Sequence, residues 1–420
     1  MSNDFIQNFL SKNNYDVRLS GNARWIDQKC TYDVVQIIAD CILEYTQSST
    51  STSFTVKDIW DSNYAQENVQ TIFSKPDPSQ KSRNEYDKYF GQPIKLLAYS
   101  QILIETKVNT RYIYKINNLE LLQHIALRPL NTLNFLTHYI EKVLKDSGLD
   151  ASFKNFLKEQ NKESYQQVKE TFTSFTKKNT PINGNTECGR IFTKVINPLA
   201  FKYKKCGTER GHISKSLITL QDLTYNRLNW RDKLSGKSKQ ISRQEHQSLE
   251  QQQSKNYHEY LVQKAKKDVR KFNNLYRNGK SEVYQLGEDI LASQIHHIFT
   301  KSDFPEIADY HENLIAITPN QHFGMAHPEN KTTYIDKNFQ YICLIAKCSS
   351  IMENLTHSTG MKIYDFNDYC YVLNVGFKTD KFNDIPTLDF ESIIRQIDFL
   401  CSDYLGGPYS SIVERNYPVI

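Results

Sequence analysis

Five of the eleven histidines fall between positions 296 and 327: His296, His297, His311, His322 and His327. Asn313 lies among them. Imidazole can ligate a divalent cation, and it can act as a general base near neutral pH. Hydrolysis of a phosphodiester calls for both. A base must take a proton from water, and a cation must neutralise charge on the phosphate and the leaving oxygen. A third group has to hold the base in orientation, and a side-chain amide suits that task.

These residues need elements to position them. Gln294 to Ile298 reads as a strand, which would point His296 and His297 to opposite faces. From a flat strand the two rings cannot share one ion, so the spacing predicts one ligand and one base. Lys301 to His311 is a polar loop containing Pro305. Asn313 to Ile317 reads as a second strand. Thr318-Pro319 is a helix start, with Thr as cap and Pro at the first helical position. His322 and His327 then fall on that helix or just past it. Five residues is a poor spacing for one α-helical face, so His327 is expected beyond the helix end.

Taken together, this segment resembles the HNH, or ββα-metal, endonuclease motif. The resemblance implies that His296 is a metal ligand and His297 the general base. Asn313 would brace the loop and orient His297. His322 would be the helix-borne ligand, and His327 a further ligand or phosphate contact. His311 matches no position of the family and reads as a loop residue. The spacings 313 − 297 = 16 and 322 − 313 = 9 suit the family. Two features depart from it: no cysteine pair flanks the motif, and the ending Ala326-His327-Pro328 is unusual. The likeness covers residues 290–335.

The wider layout resembles type II restriction endonucleases of the HNH kind. That implies sequence-specific cleavage of double-stranded DNA with a divalent metal. Magnesium is the expected ion; manganese, zinc and nickel are alternatives, because imidazole suits them. One such site cuts one strand, so a double-strand break implies a homodimer on a palindromic sequence. A homing or nonspecific HNH nuclease is the next reading. A non-catalytic DNA-binding protein with an HNH-like fold is the reading from outside the enzyme class.

Bulk composition sets the frame. A chain of 420 residues with 39% hydrophobic content suggests two or three domains. A net charge of +5 permits a polyanionic partner only where positive charge is clustered. Two clusters stand out. Arg227, Arg231, Lys233, Lys237, Lys239 and Arg243 lie in a polar stretch, and Lys264, Lys266, Lys267, Arg270, Lys271 and Arg277 decorate a helix. Arg227, Arg231, Lys237, Lys239, Arg243, Lys267, Arg270 and Lys271 are the candidate DNA contacts, which would act on phosphates. Eight scattered cysteines, without a Cys-x-x-Cys pair, read as reduced thiols in the cytoplasm. Neither a secretory start nor a long apolar run is visible, so no membrane is expected.

The fold expected is α+β and mostly helical. Residues 1–117 read as a helical, winged-helix-like DNA-reading domain, and 118–228 as a mixed, mainly helical one. Residues 229–256 read as a polar basic linker or DNA-contacting arm. Residues 257–420 read as the nuclease domain, with its motif core at 283–335 and helices over 339–355 and 390–405 packed around it. Within the first domain, apolar spacing predicts helices over 34–46, Val56–Trp60 and Val69–Phe73. Residues 84–107 read as mostly helical, divided at Pro93, before a strand over Arg111–Ile116. The helix over 257–278 should bury Tyr257, Leu261, Ala265, Val269, Phe272 and Tyr276. Pro76-Asp77 with Glu105-Thr106-Lys107 loosely fits a second nuclease format. That format needs Glu-x-Lys on a strand, whereas here it ends a helix-like run, so it is set aside.

Overall fold

Helical periodicity dominates the chain, and the computed structural model is mostly helical with three two-stranded antiparallel sheets among the described residues. Those residues are 3–73, 83–225, 243–285, 287, 289–327, 334–356, 360–404 and 407–418; the side chains of 3, 83 and 243–254 are outside the description. The chain divides into two compact units, Met1–Ser254 and Lys255–Ile420. No described helix is long and apolar enough to cross a membrane. All eight cysteines are free thiols.

The first unit contains α1 (Asn3–Ser11), α2 (Val17–Ser20), α3 (Tyr32–Thr46), α4 (Val56–Trp60), α5 (Asn63–Phe73) and α6 (Arg83–Tyr99). The hairpin β1 (Leu103–Val108) and β2 (Arg111–Ile116) follows. Then come α7 (Leu119–Leu127), α8 (Pro129–Asp146), α9 (Asp150–Glu159), α10 (Lys162–Asn179) and α11 (Asn185–Lys202), and a second hairpin, β3 (Cys206–Glu209) and β4 (His212–Leu217). Helix α3 is central because it is apolar nearly all round: Val34, Val35, Ile37, Ile38 and Ile42 are all buried. Helix α4 starts where Thr55 and Asp58 form a reciprocal capping box.

Several sequence expectations change here. Residues 84–107 are not one helical run. Helix α6 ends at Tyr99, Gln101 takes a left-handed φ of 66°, and Glu105-Thr106-Lys107 lies on strand β1. The β-branched residues Ile102, Ile104, Thr106 and Val108 favour the extended form, and Asn109 with φ 55° closes the hairpin. Nor does Pro93 divide α6, since Tyr86, Tyr89 and Phe90 before it and Ile94, Leu96 and Leu97 after it are all buried. That shared packing outweighs one lost hydrogen bond. Although Glu-x-Lys is on a strand, Glu105 is exposed and ion-paired with Lys95, and Pro76-Asp77 lies outside the described residues. The expected division at 117/118 runs through one core. Tyr15 packs on Tyr139, and the Tyr15 and Val17 amides donate to Asp146 and Ser147 of the α8 end.

The second unit begins within α12 (Arg243–Arg277), so residues 243–256 of the expected linker are helical. Residues 229–242 lie outside the description. Strand β5 (Gln294–His297) pairs antiparallel with β6 (Leu314–Ile317), with His296 opposite Ile315 and His297 opposite Leu314. A short helical segment ends in π-type turns over Gln321–Ala326. Then follow α13 (Lys337–Thr356), α14 (Phe366–Phe377), α15 (Phe390–Leu400) and α16 (Ser410–Glu414). The stripe that α12 buries is shifted from the expected one. It consists of Tyr260, Val262, Ala265, Val269 and Phe272, and Tyr276 is exposed.

Strand β6 is buried on both faces and is tied to α13 by charge. Glu282 exchanges main-chain contact with Ala316, and its carboxylate accepts from the Ala316 amide at 2.8 Å. Lys347 of α13 donates to that carboxylate at 3.0 Å and to the Tyr364 hydroxyl at 2.6 Å. Both charged side chains are essentially inaccessible. Burial raises the Glu282 pKa, but Lys347 prevails and holds it below the usual range. Replacing Lys347 with Met strands the carboxylate in the core. We expect Lys347→Met to lower the unfolding free energy by about 3–5 kcal/mol, read from urea midpoints. A change below about 1 kcal/mol would mean that the pair does not hold β6 to α13.

Candidate functional site

Strand alternation sends the two neighbouring histidines to different surroundings. His296 is buried and faces His322 and His327, with ring centroids 5.3 and 5.0 Å away. His297 points elsewhere: its Nε2–H donates to the Ala308 carbonyl at 3.0 Å. That bond assigns the proton to Nε2 and leaves the Nδ1 lone pair available.

His327 lies just past the end of the turns, at the C-cap, as its five-residue spacing from His322 implies. Thr318 and Gln321 cap the segment reciprocally: the Gln321 amide donates to Thr318 Oγ1 at 3.1 Å, and the Thr318 amide donates to Gln321 Oε1 at 3.1 Å. The following turns are of π type, and the His327 amide bonds the His322 carbonyl at 3.1 Å, five residues back. A π turn brings i and i+5 onto one face, which an α-helix does not do. The two ring centroids are therefore only 4.8 Å apart.

His296, His322 and His327 form the one group of potential metal ligands found among the described residues, with ligand atoms all within 4.8 Å of one another. Their hydrogen bonding fits a cation. His296 Nε2 and His322 Nδ1 are buried and meet no partner among the described residues. His327 Nδ1–H donates to the Tyr334 carbonyl at 2.8 Å, which leaves Nε2 unprotonated, in the manner of an oriented ligand. Nitrogens about 2.1 Å from a shared ion are at most about 4.2 Å apart, so loading draws the rings slightly inward. Burial first, and then the neighbouring imidazoles, hold His296 well below its ordinary pKa. Burial and the Lys266 charge push His297 down to about 4; burial, His327 and Lys266 do the same to His322. His296, His297 and His322 are thus neutral near pH 7, as ligands and a base must be.

Asn313 sits at the end of a short turn, His311–Asn313, rather than on the second strand as expected. Its side chain is fully buried. Oδ1 accepts from the Phe299 amide at 2.8 Å, while Nδ2 donates to the Phe299 and Ile307 carbonyls at 3.0 and 3.2 Å. It thereby closes the loop whose next residue, Ala308, holds His297. Gln340 of α13 adds a 2.6 Å bond to the Ile298 carbonyl. The Phe299 ring packs against Gly376 of α14 so closely that a Cβ there would lie 2.4 Å from the ring.

By sequence His311 reads as a loop residue. It is buried, and its Nε2 lies 3.3 Å from Asp268 Oδ2. Lys264 donates to the same oxygen at 2.9 Å. Burial raises the Asp268 pKa, but Lys264 and His311 overcome it and hold the carboxyl at about 2. The signal was present, since Lys264 and Asp268 are an i,i+4 pair flanking the apolar stripe of α12. Of the candidate DNA contacts, Lys267, Arg270 and Lys271 are exposed on α12. Arg227, Arg231, Lys237, Lys239 and the side chain of Arg243 lie outside the described residues. On α12 it is Lys266, rather than Lys267, whose charge lowers His296, His297 and His322, and Lys301 adds to the effect on His297.

Comparison with known protein families, with characterised proteins and with solved structures yields no match.

The lowered histidines have a consequence for stability. Imidazole in an unfolded chain titrates at about 6.5. Between that value and about 4, the unfolded chain binds protons that folded His297 and His322 refuse. Stability is therefore expected to fall as pH drops from about 6.5 to 4 and to be independent of these rings above that window. Urea unfolding of chelator-treated protein measures this. The slope should be shallower in His322→Gln, and an unchanged slope would contradict the burial of that ring.

Proposed function

We propose that this chain is a metal-dependent endonuclease that hydrolyses phosphodiester bonds in double-stranded DNA by an HNH-type one-metal mechanism. The observation that carries the reading is the division of labour across β5. His296 joins His322 and His327 in a cluster of imidazoles, while His297 is held by a loop carbonyl through Nε2, with the Nδ1 lone pair left to act as a base. A structural pair of histidines has no need of either arrangement.

In this reading His297 takes the proton of the attacking water on Nδ1, and the Ala308 carbonyl stabilises the imidazolium that results. Asn313 fixes the loop and hence the direction of the base. His296, His322 and His327 would hold the divalent ion, which supplies charge neutralisation at the phosphate and at the departing 3′ oxygen. Magnesium is the ion we propose, with manganese, zinc or nickel able to substitute at imidazole ligands.

We place base reading in the first unit. Phe54 pairs with Tyr114 of β2, so the sheet order there is Phe54, β2, β1, after α3 and with α4 to α6 between. That order supports a winged-helix arrangement, in which the first strand pairs with the third. A reader joined to a cutting module favours a sequence-specific enzyme, of the type II restriction kind, over a nonspecific one. Two copies on a palindromic site would cut both strands.

Incubation of the purified protein with plasmid DNA and Mg2+ is the test. Discrete fragments that disappear with EDTA are expected. His297→Ala should slow cleavage by about 10²–10⁴-fold. Smeared products would replace the specific enzyme with a nonspecific one. Intact plasmid with every one of Mg2+, Mn2+, Zn2+ and Ni2+ would sink the nuclease reading.

A further inference from the structure

Two contacts set α12 in register with β5. Glu259 pairs with Lys301, four residues past His297. Arg270 Nη2 donates to the Ser293 carbonyl at 3.1 Å, three residues before His296. Lys266 is seven residues after Glu259 and four before Arg270, so all three share one helix face. Along the axis it is about 10 Å from the first anchor and about 6 Å from the second. The segment between the anchors is 293–301, which contains β5, and interpolation between the anchors puts Lys266 level with the His296–His297 pair.

The charge state around Lys266 is unusual. Lys264 is neutralised by Asp268, and Lys301 by Glu259. Lys266 is half-buried, and its ammonium makes no hydrogen bond or ion pair among the described residues. Burial lowers its pKa, and its charge in turn helps to depress His296, His297 and His322. A partly desolvated cation beside imidazoles that can themselves gather a metal ion is unfavourable on its own. An anion shared between the two relieves both.

We propose that Lys266 is a phosphate-binding residue, its ammonium gripping a non-bridging oxygen of the phosphate that sits over the His296–His322–His327 cluster. This deepens the nuclease reading, because it supplies a protein-borne cation for the scissile group. The binding can nevertheless be measured without cleavage.

Isothermal titration with inorganic phosphate, with and without added Zn2+, tests it on the full chain. The wild type should bind in at least one condition. Lys266→Met should weaken that binding tenfold or more, while Lys266→Arg stays within about threefold, since guanidinium also grips phosphate. Circular dichroism confirms that the variants fold. No binding by the wild type in either condition, or equal binding by Lys266→Met, overturns the proposal. The plasmid assay separates the two ideas. Lys266-dependent phosphate binding without cleavage removes the nuclease reading and keeps this site. Cleavage that Lys266→Met leaves untouched, together with unchanged phosphate binding, removes this site and keeps the nuclease.

Discussion

The candidate site depends on the buried amide of Asn313. One side chain satisfies three main-chain groups, at residues 299 and 307, in a place that solvent does not reach. An unsatisfied buried peptide group costs about 1–3 kcal/mol, so the amide's bonds to the Phe299 amide and carbonyl weigh in favour of this loop conformation. The position of Ala308 follows from that closure, and the orientation of His297 follows from Ala308.

Asn313 does not act alone. The turn His311-Glu312-Asn313 presents three consecutive buried polar side chains, and each reaches a different element. His311 meets Asp268 of α12, Glu312 accepts from the Asp365 amide at the start of α14, and Asn313 holds the loop. Buried polar contacts of this kind specify one arrangement rather than merely adding stability. The same logic applies one strand away, where Glu282 and Lys347 lock β6 against α13. The sheet beneath the histidines is only two strands wide. A two-stranded hairpin is marginal by itself, so these polar ties and the helices around it must make it rigid.

Electrostatics and geometry then agree on what the histidines can do. Three rings converge where, among the described residues, no hydrogen-bond partner meets His296 Nε2 or His322 Nδ1, and burial favours the neutral form of His296 and His322. At His296 and His322, metal binding competes with no proton near neutral pH. The phosphate grip proposed for Lys266 belongs to the same balance, because a neutral ligand set leaves the charge of both ion and lysine to be met by an anion.

Much of this was legible in the residues themselves. Apolar spacing identified α3, α4, β2 and the helix of α13, because burial on one or all faces leaves a periodic trace. The doublet His296-His297 announced its split by strand alternation alone, and Thr318-Pro319 announced a cap. Other features were invisible for physical reasons. The run 84–107 looks helical until the left-handed Gln101 and the turn at Asn109 are known, since local propensity there is weak against hairpin pairing. A single core spanning 117/118 cannot be inferred from either side of the boundary, because it is made by contacts distant in sequence such as Tyr15 with Tyr139. His311 reads as a loop residue until Asp268 is brought to it from 43 positions away. The chemistry available to the site was therefore determined by the amino-acid sequence, through residue type and short spacing. Which rings share a centre was decided by tertiary structure, because one π turn converts a five-residue step from a divergent pair into a convergent one.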